Sequence, residues 1–236
     1  MRLLVTRPQP DAERTAAGLR ERGHAVIVAP LLRIEAVTDA EIAGGPFAAI
    51  LVTSANAAPA IARHQRVAGL WTLPVFAVGE RTAQAMREIG FTDISCAGGA
   101  AGELAALVTK RLQPGQPLLY LAGADRSGDL AGVLAARHFD VRTVVVYRAV
   151  AADRLPAEAV EALVARIDGV LHFSRRTAEV YLRAARIADL LPEALKPIHF
   201  CLSAQVAEPL QQAGAPDVRI AAEPTEAALL SLVPAA

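Results

Sequence analysis

Short apolar runs alternate with amphipathic segments along this chain of 236 residues. The apolar runs predict strands at 3–6, 24–29, 47–53, 74–78, 118–121, 143–147, 169–173 and 198–202. Helical periodicity follows most of them, at 11–22, 55–64, 80–90, 102–112, 127–138, 175–185, 204–213 and 225–233. Continuous apolar strands that alternate with helices are typical of parallel sheets buried on both faces. The pattern therefore predicts an α/β fold.

The second half of the chain repeats parts of the first. The octapeptide FAVGERTA at 76–83 is matched by FCLSAQVA at 200–207, and Gly90 and Gly214 keep the same offset of 124 residues. Shorter echoes relate 3–5 to 118–120 and 50–54 to 170–174. Two similar halves predict two small lobes, each a parallel sheet flanked by helices. A cleft between lobes is a usual place for a small molecule to bind.

Two extended segments, 30–37 and 146–152, depart from this alternation. Each leaves an apolar strand and continues in partly polar sequence, and the two correspond in the repeat. We interpret them as a two-stranded connection, so that the chain starts one lobe, builds the other and returns to complete the first. A simple division near residue 115 also fits the repeat, but the paired extended segments favour the crossed arrangement.

Charge and targeting features narrow the class of protein. Lys plus Arg equals Asp plus Glu at 24 each, so the chain has no global attraction to nucleic acid or to membranes. No stretch approaches the ~18 apolar residues of a spanning helix, and the first residues lack the apolar core of a signal peptide. We therefore expect a cytoplasmic protein with free cysteines and with neither nucleic acid nor membrane as a partner.

Polar side chains cluster where the predicted strands end. In open α/β sheets ligands bind at the carboxyl ends of the strands, beside the N-termini of the following helices. The candidate binding residues there are Arg7, Thr53, Ser54, Arg81, Thr82, Arg126, Ser174 and Ser203. A plainer interpretation stays open, because Ser and Thr before a helix are ordinary N-caps worth about 1 kcal/mol, and the arginines can simply be solvated.

Familiar catalytic motifs are missing from the sequence. It holds no Walker loop, no GxSxG elbow and no HExxH pair, and the Gly-rich 98–102 lacks the rest of a dinucleotide fingerprint. His172 and His199 lie in apolar strands, which favours buried structural imidazoles. Tyr147 ends a Val-rich strand, where a tyrosine either packs in the core or hinge or brings a phenol into the cleft.

Six short peptides of this sequence resemble those of the uroporphyrinogen-III synthase family, along essentially the whole chain. The order and spacing of VTRP at 5–8, LVTSANA at 51–57, VGERTA at 78–83, VVVYRA at 144–149, FS at 173–174 and EPT at 223–225 carry the resemblance. It implies two α/β lobes joined by a two-stranded ladder. The first lobe would be 1–34 plus 151–236 and the second 40–146, with linkers at 35–39 and 147–150.

The resemblance also implies a reaction. The family closes hydroxymethylbilane, a linear tetrapyrrole with eight carboxylates, into uroporphyrinogen III with loss of water and inversion of ring D. It uses no cofactor and no metal, and an azafulvene and a spiro species lie on the path. The same resemblance favours a monomer that makes at most a transient contact with the preceding enzyme of the pathway.

Residue roles follow from matching positions. Tyr147 is the candidate acid that assists the leaving hydroxyl. The eight binding candidates named above are expected to bind the carboxylates of the substrate. Two positions depart from the relatives, since Ala122 stands where an arginine is common and Val206 stands where a hydroxyl is sometimes assigned to substrate binding.

Two other classes remain as alternatives to an enzyme. One is a two-lobed ligand sensor that binds without turnover, and the other is an interaction module derived from the enzyme. Retention of Thr53, Ser54, Arg81, Tyr147 and Ser174 argues against a decayed site.

Overall fold

The computed structural model describes residues 1–42, 44–126 and 128–235. The described strands are β1 (Arg2–Val5), β2 (Ala25–Val28), β3 (Leu32–Ala36), β4 (Ala49–Val52), β5 (Val75–Ala77), β6 (Ile94–Cys96), β7 (Pro117–Gly123), β8 (Asp140–Ala151), β9 (Gly169–His172), β10 (Ile198–Cys201) and β11 (Val218–Ile220). The helices are α1 (Asp11–Glu21), α2 (Ala57–Ile61), α3 (Glu80–Glu88), α4 (Ala101–Arg111), α5 (Leu130–Ala135), α6 (Ala157–Val164), α7 (Arg175–Ile187), α8 (Leu191–Leu195), α9 (Ala204–Gln212) and α10 (Glu226–Ser231).

The chain divides into two compact units. The first unit is Met1–Arg33 with Val150–Ala236, and the second is Ile34–Ala149. The division points lie within β3 and β8. The first sheet has the order β11-β10-β9-β1-β2 and the second β3-β8-β7-β4-β5-β6, with helices beside both. The predicted α/β fold is confirmed.

The repeat in the sequence is a repeat in the sheets. Read from its other end, the second sheet runs β6-β5-β4-β7-β8, which matches β11-β10-β9-β1-β2 strand for strand. Equivalent hydrogen bonds recur, since the Val75 amide donates to the Asp93 carbonyl at 2.8 Å and the His199 amide to the Asp217 carbonyl at 2.9 Å. Both residues of the second hydrogen bond lie 124 positions after their counterparts in the first, which is the offset found in the sequence.

Two glycines end corresponding helices of the repeat. Gly90 follows α3 with φ +108°, and Gly214 follows α9 with φ +84°. A left-handed residue just past a helix end is most often glycine, because a Cβ is strained there. The glycine echo therefore marks the same helix stop in both units.

The strand β3 adds an antiparallel edge to the second sheet. The Val37 amide donates to the Val146 carbonyl at 2.9 Å, and Glu35 faces Arg148 across a 3.3 Å ion pair. Partners that run backwards along β8 define an antiparallel ladder. The other strand pairs with a recorded register are parallel, as predicted.

Successive residues of the central strands pack on opposite faces of the sheet. In β4, Ile50 and Val52 join one apolar cluster, whereas Ala49 and Leu51 join the cluster on the other face. All four side chains are fully buried. Burial on both faces explains why these strands are continuous apolar runs rather than alternating ones.

The core of the first unit contains a buried histidine pair. His172 Nε2 and His199 Nδ1 lie 3.1 Å apart, and neither residue is exposed to solvent. The Tyr181 ring lies in a T-shaped arrangement with both imidazoles. The prediction of buried structural imidazoles is confirmed.

Some elements were not predicted. The strands β6 and β11 are short, half-buried edge strands of mixed polarity, so they lack an apolar run, and the helices α6 and α8 were also missed. The predicted helix 127–138 starts at residue 127, which lies outside the described residues, and the observed α5 is shorter. Gly128 takes φ +99°, and the carboxylate of the N-cap Asp129 accepts the Gly132 amide at 2.9 Å, so the helix begins after them.

Within the described ranges, no helix combines the length and the apolar character needed to cross a membrane.

Candidate functional site

A cavity of about 500 Å³ opens at the carboxyl ends of the strands in the second unit. This position follows from the parallel order, because the turns after β4, β5 and β7 emerge at one edge of the sheet. The cavity is lined by Thr53, Ser54, Val78, Gly99, Ala100, Ala101, Tyr120, Gly123, Asp125, Arg126, Gly128, Leu130 and Tyr147. Four predicted site residues are among them: Thr53, Ser54, Arg126 and Tyr147.

A register shift places Tyr147 over a glycine. Ala122 pairs with Val145, but Gly123 pairs with Tyr147, so β8 carries one extra residue at that point. A Cβ on Gly123 would lie 2.6 Å from Cζ of Tyr147. No side chain fits beneath the ring, and the bulge directs the phenol along the cavity wall.

Ser54 and the Tyr147 phenol line the same cavity. Burial raises the pKa of Tyr147 above its ordinary value, the neighbouring Ser54 side chain opposes that rise, and the nearby groups of Tyr120 and Asp125 add to it. Tyr147 is therefore a protonated hydrogen-bond donor at neutral pH. Ser54 Oγ also accepts the Asn56 amide at 3.2 Å, which fixes the turn after β4.

A second phenol reaches the same cavity from β7. The hydroxyls of Tyr120 and Thr53 lie 2.8 Å apart, and only 4% of Tyr120 is exposed. The pairing of Leu51 with Tyr120 in neighbouring strands brings this phenol to the end of β4. Sequence analysis missed Tyr120 because it sits inside an apolar run. The available signal was a phenol in a strand next to the one that ends at Thr53.

The cavity lining also provides a charged side chain and backbone amides. Arg126 is exposed and lines the cavity beside Asp125. The first turn of α4 also lines it, although Glu103 Oε2 accepts the Ala100 amide there at 3.1 Å. The arrangement offers hydroxyl donors, a guanidinium and helix-end amides, which are groups that bind carboxylates.

Arg81 and Thr82 lie in the first turn of α3. Thr82 is buried at 5% exposure, whereas Arg81 is exposed. Neither is among the described residues that line the cavity. The peptide that carries them reaches the cavity through Val78 instead.

Arg7 sits in an ion-pair network of the first unit. Its guanidinium lies 3.1 Å from Asp11 and 3.1 Å from Glu226, and it stacks 4.0 Å above the Phe173 ring. Only 14% of the side chain is exposed. Two carboxylates already compensate this cation, so its contacts join α1 to α10.

Ser174 and Ser203 occupy equivalent N-cap positions in the first unit. Ser174 Oγ accepts the Thr177 amide at 3.1 Å and therefore caps α7. Ser203 precedes α9 in extended conformation, and among the described residues its side chain makes no cap hydrogen bond. The capping interpretation thus accounts for Ser174 and leaves Ser203 for another role. Val206, in the first turn of α9, is buried at 5% exposure.

Comparisons with known proteins agree with this architecture. The model of the family described as Uroporphyrinogen-III synthase HemD matches residues 13–231. Among solved structures, uroporphyrinogen-III synthetase from Helicobacter pylori 26695 is 20% identical with a TM-score of 0.66, covering 98% of both chains. A mutant uroporphyrinogen III synthase from the extremely thermophilic bacterium Thermus thermophilus is 17% identical with a TM-score of 0.51, covering 98% of this chain and 97% of its own. No match is found among curated proteins.

Proposed function

Because the chain belongs to the uroporphyrinogen-III synthase family of tetrapyrrole-forming enzymes, we propose that it closes hydroxymethylbilane into uroporphyrinogen III. The ring closes with loss of water, and ring D is inverted. No redox change accompanies these steps, since one water leaves and no electrons are exchanged. We accordingly propose a lyase that needs no cofactor. We also propose that the protein is a cytoplasmic monomer.

The observation that carries the proposal is the Tyr147 phenol in the cavity wall. Its ring lies on Gly123, and it lines the same cavity as Ser54. A phenol with a raised pKa stays protonated and donates a hydrogen bond to the departing hydroxyl of the substrate. As the C–O bond breaks, the oxygen takes up the Tyr147 proton and leaves as water, and the pyrrole becomes a protonated azafulvene. Loss of its N–H proton gives the neutral azafulvene and supplies the proton that restores the phenol. Acid assistance of this kind is worth roughly 10²–10⁴ in rate.

The remaining task is to fold the substrate so that the correct carbon attacks. Holding reacting atoms in place replaces a random encounter with an oriented one. Thr53, Ser54 and Arg126 would hold carboxylates of the substrate at this cavity. Arg81 and Thr82 on α3, and Arg7, Ser174 and Ser203 at the strand ends of the first unit, are proposed as further carboxylate contacts. Among them Ser203 is favoured because its side chain makes no cap hydrogen bond within the described residues.

A coupled assay tests the function. The purified protein is mixed with freshly generated hydroxymethylbilane, and the oxidised products are separated by isomer. We expect the type III isomer to dominate. The type I isomer alone, which is the product of spontaneous closure, would rule out synthase activity and favour a ligand sensor or an interaction module.

A further inference from the structure

The Thr53 hydroxyl in the cavity wall has a buried partner behind it. The hydroxyls of Thr53 and Tyr120 lie 2.8 Å apart, and both residues line the cavity. Tyr120 is 4% exposed, whereas Thr53 is half-buried. The two hydroxyls share one hydrogen bond, so one of them donates and the other keeps its proton for a further partner. The direction of this bond decides whether Thr53 presents a proton or a lone pair to a ligand.

Two physical arguments make Tyr120 the donor. A phenol is a stronger acid than an aliphatic alcohol, and the stronger acid is the better hydrogen-bond donor. The reverse direction would leave the buried Tyr120 proton in need of a second acceptor, and Thr53 is the partner that the structure gives this phenol. The Thr53 proton then remains for the cavity.

We propose that Tyr120 is a positioning residue that sets the ligand preference of Thr53: it donates to Thr53 Oγ1, and the Thr53 proton points to a carboxylate of the substrate. An ionised carboxylate only accepts hydrogen bonds, so Thr53 binds one only as a donor. A hydroxyl that already receives a hydrogen bond is also a stronger donor. The identity of the carboxylate rests on the proposed function, whereas the direction of the bond between Tyr120 and Thr53 does not depend on turnover.

The neighbouring hydroxyl is arranged in the same way. Ser54 Oγ accepts the Asn56 amide at 3.2 Å, so its oxygen also receives a hydrogen bond from the protein. Thr53 and Ser54 are therefore both acceptors toward the protein, which suits both to act as donors toward an anionic ligand.

The first experiment tests the hydrogen bond by urea unfolding. Thr53→Val leaves the Tyr120 hydroxyl buried without its acceptor, so the unfolding equilibrium constant should rise about tenfold. The double variant Tyr120→Phe/Thr53→Val replaces both partners with apolar groups of similar shape, so it should recover most of that loss. Losses that simply multiply would overturn the proposal.

The second experiment measures how firmly the substrate is held. Tyr120→Phe is expected to raise KM about fivefold with kcat within about twofold, because Thr53 then binds the carboxylate less firmly in the substrate and in the transition state alike. Thr53→Val should raise KM about tenfold, and adding Tyr120→Phe to it should raise KM no further. An unchanged KM in Tyr120→Phe, or increases that multiply in the double variant, would overturn the proposal.

Two variants serve as controls. Thr53→Ser keeps the hydroxyl, so its KM should stay near the original value and should still rise when Tyr120→Phe is added. Tyr181→Phe removes the hydroxyl of an equally buried tyrosine, which donates to the Ala194 carbonyl at 2.9 Å in the first unit. It should destabilise the protein without changing KM, and a rise in KM equal to that of Tyr120→Phe would overturn the proposal.

The product provides the same comparison without turnover. We expect Tyr120→Phe to raise the Kd for uroporphyrinogen III about fivefold, as measured by equilibrium dialysis in the absence of oxygen. If the original protein makes only the type I isomer, the proposed function fails, and the Kd of the two proteins still decides the role of Tyr120. An unchanged Kd in the variant, or no binding by the original protein, would overturn the inference.

Discussion

At the scale of single residues, Tyr147 lies on Gly123 and lines the cavity of the second unit. We expect Tyr147→Phe to lower kcat by roughly 10²-fold, because the leaving hydroxyl loses its proton donor while the substrate is still folded correctly. The type III isomer should remain the main product. Single-turnover kinetics with isomer analysis measure both quantities.

The fold of this variant is checked by far-UV circular dichroism, since only one hydroxyl is removed. A Tyr147→Phe enzyme with full kcat would show that the tyrosine is a packing residue.

Gly123 makes room for the same ring. In Gly123→Ala the new Cβ would approach the Tyr147 ring to 2.6 Å, so the ring must move. We expect an activity loss comparable with that of Tyr147→Phe, together with a stability loss of about 1–3 kcal/mol from overpacking. Urea unfolding and the isomer assay measure the two effects.

Gly18→Ala in α1 is the control for that substitution. A Cβ there meets nothing within 4 Å, so the helix should gain about 0.5–1 kcal/mol in stability, with unchanged turnover. If Gly123→Ala behaves like Gly18→Ala, the close approach of Tyr147 does not govern the site.

At the scale of elements, the helix starts separate capping from binding. Ser174→Ala should lower the free energy of unfolding by about 1 kcal/mol, because α7 loses the hydrogen bond to the Thr177 amide. Ser203→Ala should cost about 0.5 kcal/mol or less, since its side chain makes no cap bond within the described chain. Thermal unfolding compares the pair, and equal losses would contradict the distinction.

How far the sequence predicts these elements depends on burial. Strands such as β4, buried on both faces, are plain apolar runs, whereas the edge strands β6 and β11 are half-exposed and were missed. Thr53, Ser54, Arg126 and Tyr147 were placed at strand ends by pattern, and they line one cavity. Tyr120 was missed because its contact with Thr53 depends on which strands are neighbours, and that is a property of the sheet.

At the scale of the whole molecule, acid sensitivity follows from the buried histidine pair. Burial lowers the pKa of His172 well below its ordinary value and that of His199 to about 4, so both are neutral in the folded protein. In the unfolded chain His199 has its ordinary pKa of 6.5 and takes up a proton first as the pH falls. The contribution of neutral His199 to the free energy of unfolding is complete above pH 6.5 and is lost as the pH falls toward 4.

We therefore expect the free energy of unfolding to fall by roughly 2 kcal/mol from His199 between about pH 7.5 and pH 5, with a further loss from His172. Urea unfolding at the two pH values measures the difference. His138→Asn, at an exposed position with φ +64°, should show the same difference as the original protein. Equal stability at both pH values would contradict the buried neutral pair.

The first unit is interrupted in sequence by the second, and this affects the order in which the two units fold during synthesis. The second unit is one continuous stretch, but the first unit waits for residues beyond 150 before β9 can pair with β1. At roughly 5–20 residues per second, a ribosome takes many seconds to supply them. A lone pair of short strands is marginally stable in water, so the nascent β1 and β2 stay unassembled while the second unit folds. The half of the protein that begins first is finished last.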